Sequence, residues 1–215
     1  MTTFILVRHG LSFANDGHFF AGNIDTPLVE TGRKQALKTA QYIIDNYKID
    51  IAYASDLSRA FNTGKCIAQL AGVEIITDKN LREIQAGEWE GVAFDEIKTR
   101  FANDYNVWIN DIGNARCTGG ESVRELYNRV VTTLTKIAEK HDSQTVLIAT
   151  HATPIRAMQC FVQQGGNIDN MNQIPWVSNA SVSTLVYDNG SWHFKTVNFD
   201  SHLSDLKTVL PKGDV

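Results

Sequence analysis

Short apolar runs alternate with helically spaced stretches along most of the chain, and this alternation constrains the fold more than any other feature. Phe4-Ile5-Leu6-Val7 is an unbroken apolar run, the pattern of a strand buried on both faces. Leu37, Ala40, Ile44 and Tyr47 follow at helical spacing within residues 31 to 47. Ile49 to Ala54 reads as a second strand, residues 57 to 71 as a second helix, and Glu74 to Thr77 as a short third strand. Residues 122 to 140 carry Val123, Leu126, Val130, Leu134 and Ile137 on one stripe, opened by the capping-box pattern Ser122-x-x-Glu125. Thr145 to Thr150 is another buried strand, after which Thr153-Pro154 opens a helix with Pro at its first position. Ser181 to Tyr187 and Trp192 to Val197, joined by Asp188-Asn189-Gly190-Ser191, predict a hairpin on the sheet edge. The last dozen residues are expected to wrap the surface or fray. Strand–helix alternation of this kind predicts an α/β fold, a mostly parallel sheet with helices on both faces.

Ligands of such sheets sit beyond the carboxyl ends of the strands, where the strand order reverses. Two strands here end directly in histidine, Val7-Arg8-His9 and Ala149-Thr150-His151, which locates a candidate site. Composition removes several other classes. The 215 residues hold 20 Lys+Arg against 24 Asp+Glu, a net charge of −4, so no basic surface marks a nucleic-acid binder. No run approaches the roughly 18 apolar residues of a membrane span. The N-terminus turns polar too soon for a signal peptide, so a cytoplasmic protein is expected. Cys66, Cys117 and Cys160 are odd in number, scattered and without a C-x-x-C pair; buried free thiols are expected for all three. Nothing in the sequence reads as a repeat or a linker, so residues 1–215 are expected to form a single domain.

The residues at the strand ends suit phosphate chemistry. Arg8 offers a planar fork of donors to phosphate oxygens, and a neutral His9 imidazole is nucleophilic at cytosolic pH. Gly10 is expected to let the backbone approach a ligand closely. Arg59 falls in the first turn of a helix, where a cation opposes the helix dipole, so an anion-binding role fits it better than a stabilising one. His151 precedes a helix whose amides favour an oxyanion. Phosphoryl transfer through an imidazole needs a proton for the leaving oxygen and then a base for water, and one carboxyl can serve both. Glu83 is the candidate, with Glu88 the second choice. His18, in the loop after the first motif, is read as a solvated histidine.

Taken in order, these segments resemble the histidine phosphatase superfamily, the phosphoglycerate-mutase-like family. The matching text is Leu6-Val7-Arg8-His9-Gly10, Asn15, the run from Phe20 to Leu28, Thr31 to Ala36, Ser55 to Thr63, Leu81-Arg82-Glu83, Gly120-Glu121-Ser122 and Thr150-His151. The resemblance implies a three-layer α/β/α sandwich with a phosphohistidine formed on His9 and Glu83 as proton donor and acceptor. It implies phosphate contacts from Arg8, Arg59, His151 and Asn15, and a substrate contact at Gly22. It implies no metal or organic cofactor, and a cap-like segment over the site at 84–119. The Gly22-x-x-Asp25-x-Pro27-Leu28 run is similar to that of α-ribazole phosphatases. Two positions depart from the family pattern: Leu11-Ser12 follows the first Arg-His-Gly, and Ala152-Thr153 follows the second histidine.

Between Glu83 and Gly120 the basic residues are Lys98, Arg100 and Arg116, against six acidic ones. A mutase must hold a second anionic group, so this balance points to water as the acceptor. The expected function is a metal-independent phosphatase of the histidine acid type, acting on a small-molecule phosphate ester, as a monomer or homodimer without nucleic-acid or membrane partners. Phosphoglycerate-mutase-type transfer and a non-catalytic phospho-ligand module are the alternatives. Trp89, Phe94, Phe101, Tyr105 and Trp108 either pack the cap onto the sheet or wall the part of the pocket beyond the phosphate.

Overall fold

The structure, a computed structural model, describes residues 1–208. In chain order the strands are β1 (Thr2–Arg8), β2 (Ile51–Ala54), β3 (Ile75–Thr77), β4 (Thr145–Thr150), β5 (Val182–Asp188) and β6 (Ser191–Phe199). The helices are α1 (Phe13–Asp16), α2 (Glu30–Asn46), α3 (Ser58–Ala71), α4 (Phe94–Arg100), α5 (Ala102–Asn110), α6 (Val123–Lys140) and α7 (Ala152–Gln163). The strands form one sheet in the order β3-β2-β4-β1-β5-β6. β3, β2, β4 and β1 run parallel, while β5 is antiparallel to both β1 and β6.

Because β1 and β4 lie in the middle of the sheet, each alternates its side chains between two apolar layers. Ile5, Val7 and Leu147 pack with Ala40, Ile43 and Ile67 of α2 and α3. Phe4, Leu6, Val146 and Ile148 pack on the other face with Leu126, Val130 and Leu134 of α6 and Ile155 and Met158 of α7. This is the three-layer α/β/α sandwich with a mixed, mostly parallel sheet. Residues 84–119 run between β3 and α6, and their Trp89, Ile97, Trp108 and Ile112 join the α6/α7 layer.

The local signals act as their chemistry requires. Ser122 Oγ accepts from Glu125 N at 3.2 Å while Glu125 Oε2 accepts from Ser122 N at 2.8 Å, closing the capping box of α6. Asp188 pairs with Ser191, and Asn189 and Gly190 take φ of 48° and 82°, the two-residue hairpin turn that Asn-Gly favours.

Several expectations need correction. β2 starts at Ile51, because Asp50 turns its Oδ2 to accept from Thr145 N at 2.9 Å. α7 starts at Ala152 with His151 as its N-cap residue, so Pro154 stands third; the first helical turn leaves its N–H groups without intrahelical partners, so Pro fits there. Cys117 and Cys160 are buried thiols, but Cys66 is half-buried. Gly10 also packs closely on Gly32: a Cβ at Gly10 would lie 2.4 Å from Gly32 O, and one at Gly32 would lie 2.0 Å from Leu11 O. Ser201–Leu206 forms 3-10 turns that lead into the last dozen residues, and the Leu206 carbonyl accepts from Gln35 Nε2. Residues 209–215 lie outside the described residues.

Candidate active site

The carboxyl ends of β1, β2 and β4 meet at one edge of the sheet, and the antiparallel β5 brings its amino end to the same place. His9 N donates to Thr150 O at 3.0 Å, and the His9 carbonyl accepts from Ala180 N at 3.1 Å and Asn179 Nδ2 at 3.2 Å. The backbone carrying the imidazole is therefore pinned from both neighbouring strands. The ring places Nδ1 2.7 Å from Gly10 O. A carbonyl only accepts, so Nδ1 carries the proton and Nε2 keeps its lone pair. Burial, and then the positive charges of Arg59 and Arg8, hold the His9 pKa well below 6.5, which keeps the ring neutral.

Arg8 and Arg59 are both almost wholly buried. Arg59 donates to Gly22 O at 2.8 Å and Ile24 O at 2.9 Å, so the loop after α1 is folded around its guanidinium. Asp25 in that loop accepts from Ser58 N at 2.7 Å and caps α3, which carries Arg59. Thr63, one turn on, donates to Arg59 O at 2.8 Å and accepts from Gly10 N at 3.1 Å, joining the two motifs. Arg8 donates to Val177 O through Nη1, and its Nε is buried without a protein partner. Burial draws both guanidinium pKa values down to about 10, with the Glu83 charge the next influence and opposing it, so both stay cationic at neutral pH. Two buried cations with unused donors make an anion-binding hollow.

Glu83 accepts from Ile84 N at 2.8 Å through Oε1 and from Thr153 N at 3.3 Å through Oε2. Its loop is tied down twice. Arg82 makes a two-pronged bond to Asp56, 2.6 Å on each side. Arg129 of α6 donates to the carbonyls of Asn80, Arg82 and Glu83 while it pairs with both oxygens of Glu121.

Arg8, His9, Asn15, Gly22, Arg59 and Glu83 together line one cleft. Asn15 Oδ1 accepts from Ser12 Oγ at 3.0 Å and Asn179 Nδ2 at 3.1 Å, which leaves its amide donors for the cleft. His151 stands one layer back, fully buried, with its ring edge-on to His9 at 5.0 Å between centroids. Its Nε2 lies 2.9 Å from Ser55 Oγ, which already accepts from Leu57 N. Its Nδ1 is buried without a protein partner. Burial, Arg59 and His9 hold the His151 pKa well below 6.5.

Glu88 and His18 are exposed and lie off the cleft wall. Leu11 also lies off it, with its N–H donated to Gln35 Oε1 at 2.7 Å; Ala152 is on it. Of the five aromatic residues of the 84–119 segment, Phe94 and Trp108 face the cleft, while Trp89 is wholly buried beneath them. Phe19, Phe20 and Trp176 complete that wall. Trp176 and Asn179 escape the sequence reading because they precede β5 with no motif around them. Their signal is topological: a strand antiparallel to β1 starts at the edge where β1 ends. Among the described residues, no group of three or more His, Cys, Asp or Glu is placed to hold a metal ion, and no helix is long and apolar enough to cross a membrane.

The sequence profile described as the histidine phosphatase superfamily (branch 1) matches residues 4–200. A protein named Phosphoserine phosphatase 1, from Hydrogenobacter thermophilus, is 34% identical over 160 residues, 74% of this chain and 75% of its own. The Uncharacterized phosphatase PhoE of Bacillus subtilis is 30% identical over 204 residues, 95% of this chain and 98% of its own. Among solved structures, Bacillus stearothermophilus YhfR matches with a TM-score of 0.89 at 26% identity, covering 95% of this chain and 100% of that one.

Proposed function

The chain belongs to the histidine phosphatase superfamily, and from that premise we propose that it hydrolyses a small-molecule phosphate monoester through a phosphohistidine on His9. The observation that carries this reading is the tautomer of His9. Its Nδ1–H is tied to the Gly10 carbonyl, so a neutral ring offers Nε2 to a cleft that also holds two buried guanidiniums.

The ester's phosphoryl oxygens bind Arg8 and Arg59, with Asn15 and His151 as further contacts. His9 Nε2 attacks phosphorus, the P–N bond forms and the ester P–O bond breaks. Glu83, protonated, gives its proton to the leaving alkoxide. The same carboxylate then takes a proton from water, which attacks phosphorus, breaks the P–N bond and returns His9 to its starting form with inorganic phosphate as product. The bond from Gly10 O to Nδ1–H stabilises the positive charge that the ring acquires on phosphorylation. Residues 84–119 act as the cap, supplying Phe94 and Trp108 to the wall beyond the phosphate.

Water is favoured over a second anionic acceptor because the cations of the cap are already committed. Lys98 pairs with Asp95 at 2.7 Å, Arg100 with Glu96 at 2.7 Å and Arg116 with Glu125 at 3.0 Å, and none of the three lines the cleft. The test is phosphate release from an aryl phosphate in the presence of chelator, with wild type beside His9→Ala. Chelator-resistant turnover that disappears in His9→Ala, with phosphate still bound, is the expected result. Equal rates in the two proteins reject His9 as the nucleophile.

A further inference from the structure

The cleft is strongly asymmetric in chemistry. Arg8, Arg59, His9 and Glu83 supply its charged and polar lining, and Phe19, Phe20, Phe94, Trp108 and Trp176 its aromatic lining. Phe20 is the hub of that wall, with ring centroids 5.7 Å from Phe94 and 5.5 Å from Trp108. Trp108 in turn lies 6.3 Å from Trp176. Among the described residues that line the cleft, Arg8 and Arg59 are the only cations, and both are assigned to the phosphate.

One further cation stands close by and is screened. Arg156 of α7 lies over the Trp176 ring, its guanidinium carbon 3.8 Å from the centroid. It is held there by bonds to Ile174 O at 2.7 Å and Met171 O at 3.1 Å. Arg156 is not among the cleft residues; it lines a separate hollow that shares Trp108 and Trp176 with the cleft. The Trp176 indole therefore stands between this guanidinium and the substrate space, and the guanidinium fixes the indole through a cation–π contact.

We propose that the cleft selects phosphate esters of uncharged, apolar, ring-bearing alcohols and discriminates against esters that carry a carboxylate, with Trp176 as the specificity-determining residue and Arg156 as the residue that positions it. A ring in the alcohol part meets flat aromatic surface on several sides. A carboxylate in the same place is desolvated with no cation to receive it. This inference rests on the phosphatase reading given above. It sets this chain apart from the substrate in the name of its Hydrogenobacter relative.

The experiment compares primary-alcohol esters, so that leaving-group chemistry is nearly constant: 2-phenylethyl phosphate, glycerol 3-phosphate and O-phosphoserine. Wild type is expected to prefer the phenylethyl ester over phosphoserine in kcat/KM by about tenfold or more. Trp176→Ala is expected to collapse that ratio by lowering kcat/KM for the phenylethyl ester and raising it for phosphoserine as Arg156 is uncovered. Trp176→Phe, which keeps a ring over Arg156, is expected to retain most of the preference, and covers the case in which the alanine protein does not fold. Binding of the same two esters to His9→Ala, by calorimetry, reads the preference without turnover. Equal or better use of phosphoserine by wild type, with normal phosphate release, overturns this inference and leaves the phosphatase reading standing. No release from any ester overturns the phosphatase reading; a preference for the phenylethyl ester in binding then still supports the wall's selectivity, and equal binding ends both.

Discussion

Glu83 receives a hydrogen bond on each carboxylate oxygen from backbone N–H groups, so its orientation is set before any ester binds. Glu83→Gln keeps the shape and removes the proton traffic. It is expected to slow esters of poor leaving groups far more than activated aryl esters, which depart without a proton. Equal losses on both, read from kcat over a series of leaving groups, point to another acid. Arg59 differs because the fold depends on it as well as the proposed phosphate contact. Arg59→Ala removes a charge-assisted phosphate contact and frees the Gly22 and Ile24 carbonyls. We expect kcat/KM to fall about a hundredfold or more, together with weaker inhibition by inorganic phosphate. An unchanged phosphate inhibition constant places Arg59 outside the site.

At the scale of elements, α6 holds the Glu83 loop from a distance. Arg129 binds three carbonyls of residues 80–83 and is itself aligned by Glu121. Arg129→Ala strands these partners, and a stability loss of about 3 kcal/mol is expected. The residual kcat should show the same leaving-group dependence as Glu83→Gln, with little change in KM for aryl esters. A protein that loses stability alone makes Arg129 purely structural. The strands and long helices are legible because β1 and β4 are central and apolar on both faces, and because Ser122 and Glu125 announce the start of α6. Arg8, His9 and Arg59 are legible because buried strands and first turns have no structural need of such residues, and Glu83 because phosphoryl transfer through an imidazole calls for a carboxyl to carry the proton. The aromatic wall is less so. Trp89 and Trp108 look alike in sequence and both pack against Phe20, yet one fills the core and the other also faces the cleft, a difference that no local motif marks. Trp176 is hidden further, because only the antiparallel entry of β5 brings it to the site.

For the whole molecule, two buried neutral imidazoles couple stability to pH. The folded-state pKa values of His9 and His151 lie well below 6.5, near which an unfolded chain's histidines titrate. Above that pH both states carry neutral rings and the pair contributes no pH dependence. Below it the unfolded chain takes up protons that the native state refuses, so stability falls with acidification, by up to about 1.4 kcal/mol per pH unit for each histidine. The urea midpoint should therefore drop from pH 7 to pH 5.5, and the drop should be shallower in His151→Gln whatever that protein's absolute stability. A midpoint flat over this range contradicts the buried neutral pair.

Passage of the phosphoryl group through His9 is tested most directly by rapid quenching of the intact protein during turnover of an ester, followed by mass analysis and peptide mapping. One phosphoryl group per chain is expected on the peptide that contains His9, labile in acid, stable in base and absent from His9→Ala. Turnover with no phosphorylated protein, or with an acid-stable group on another peptide, contradicts it.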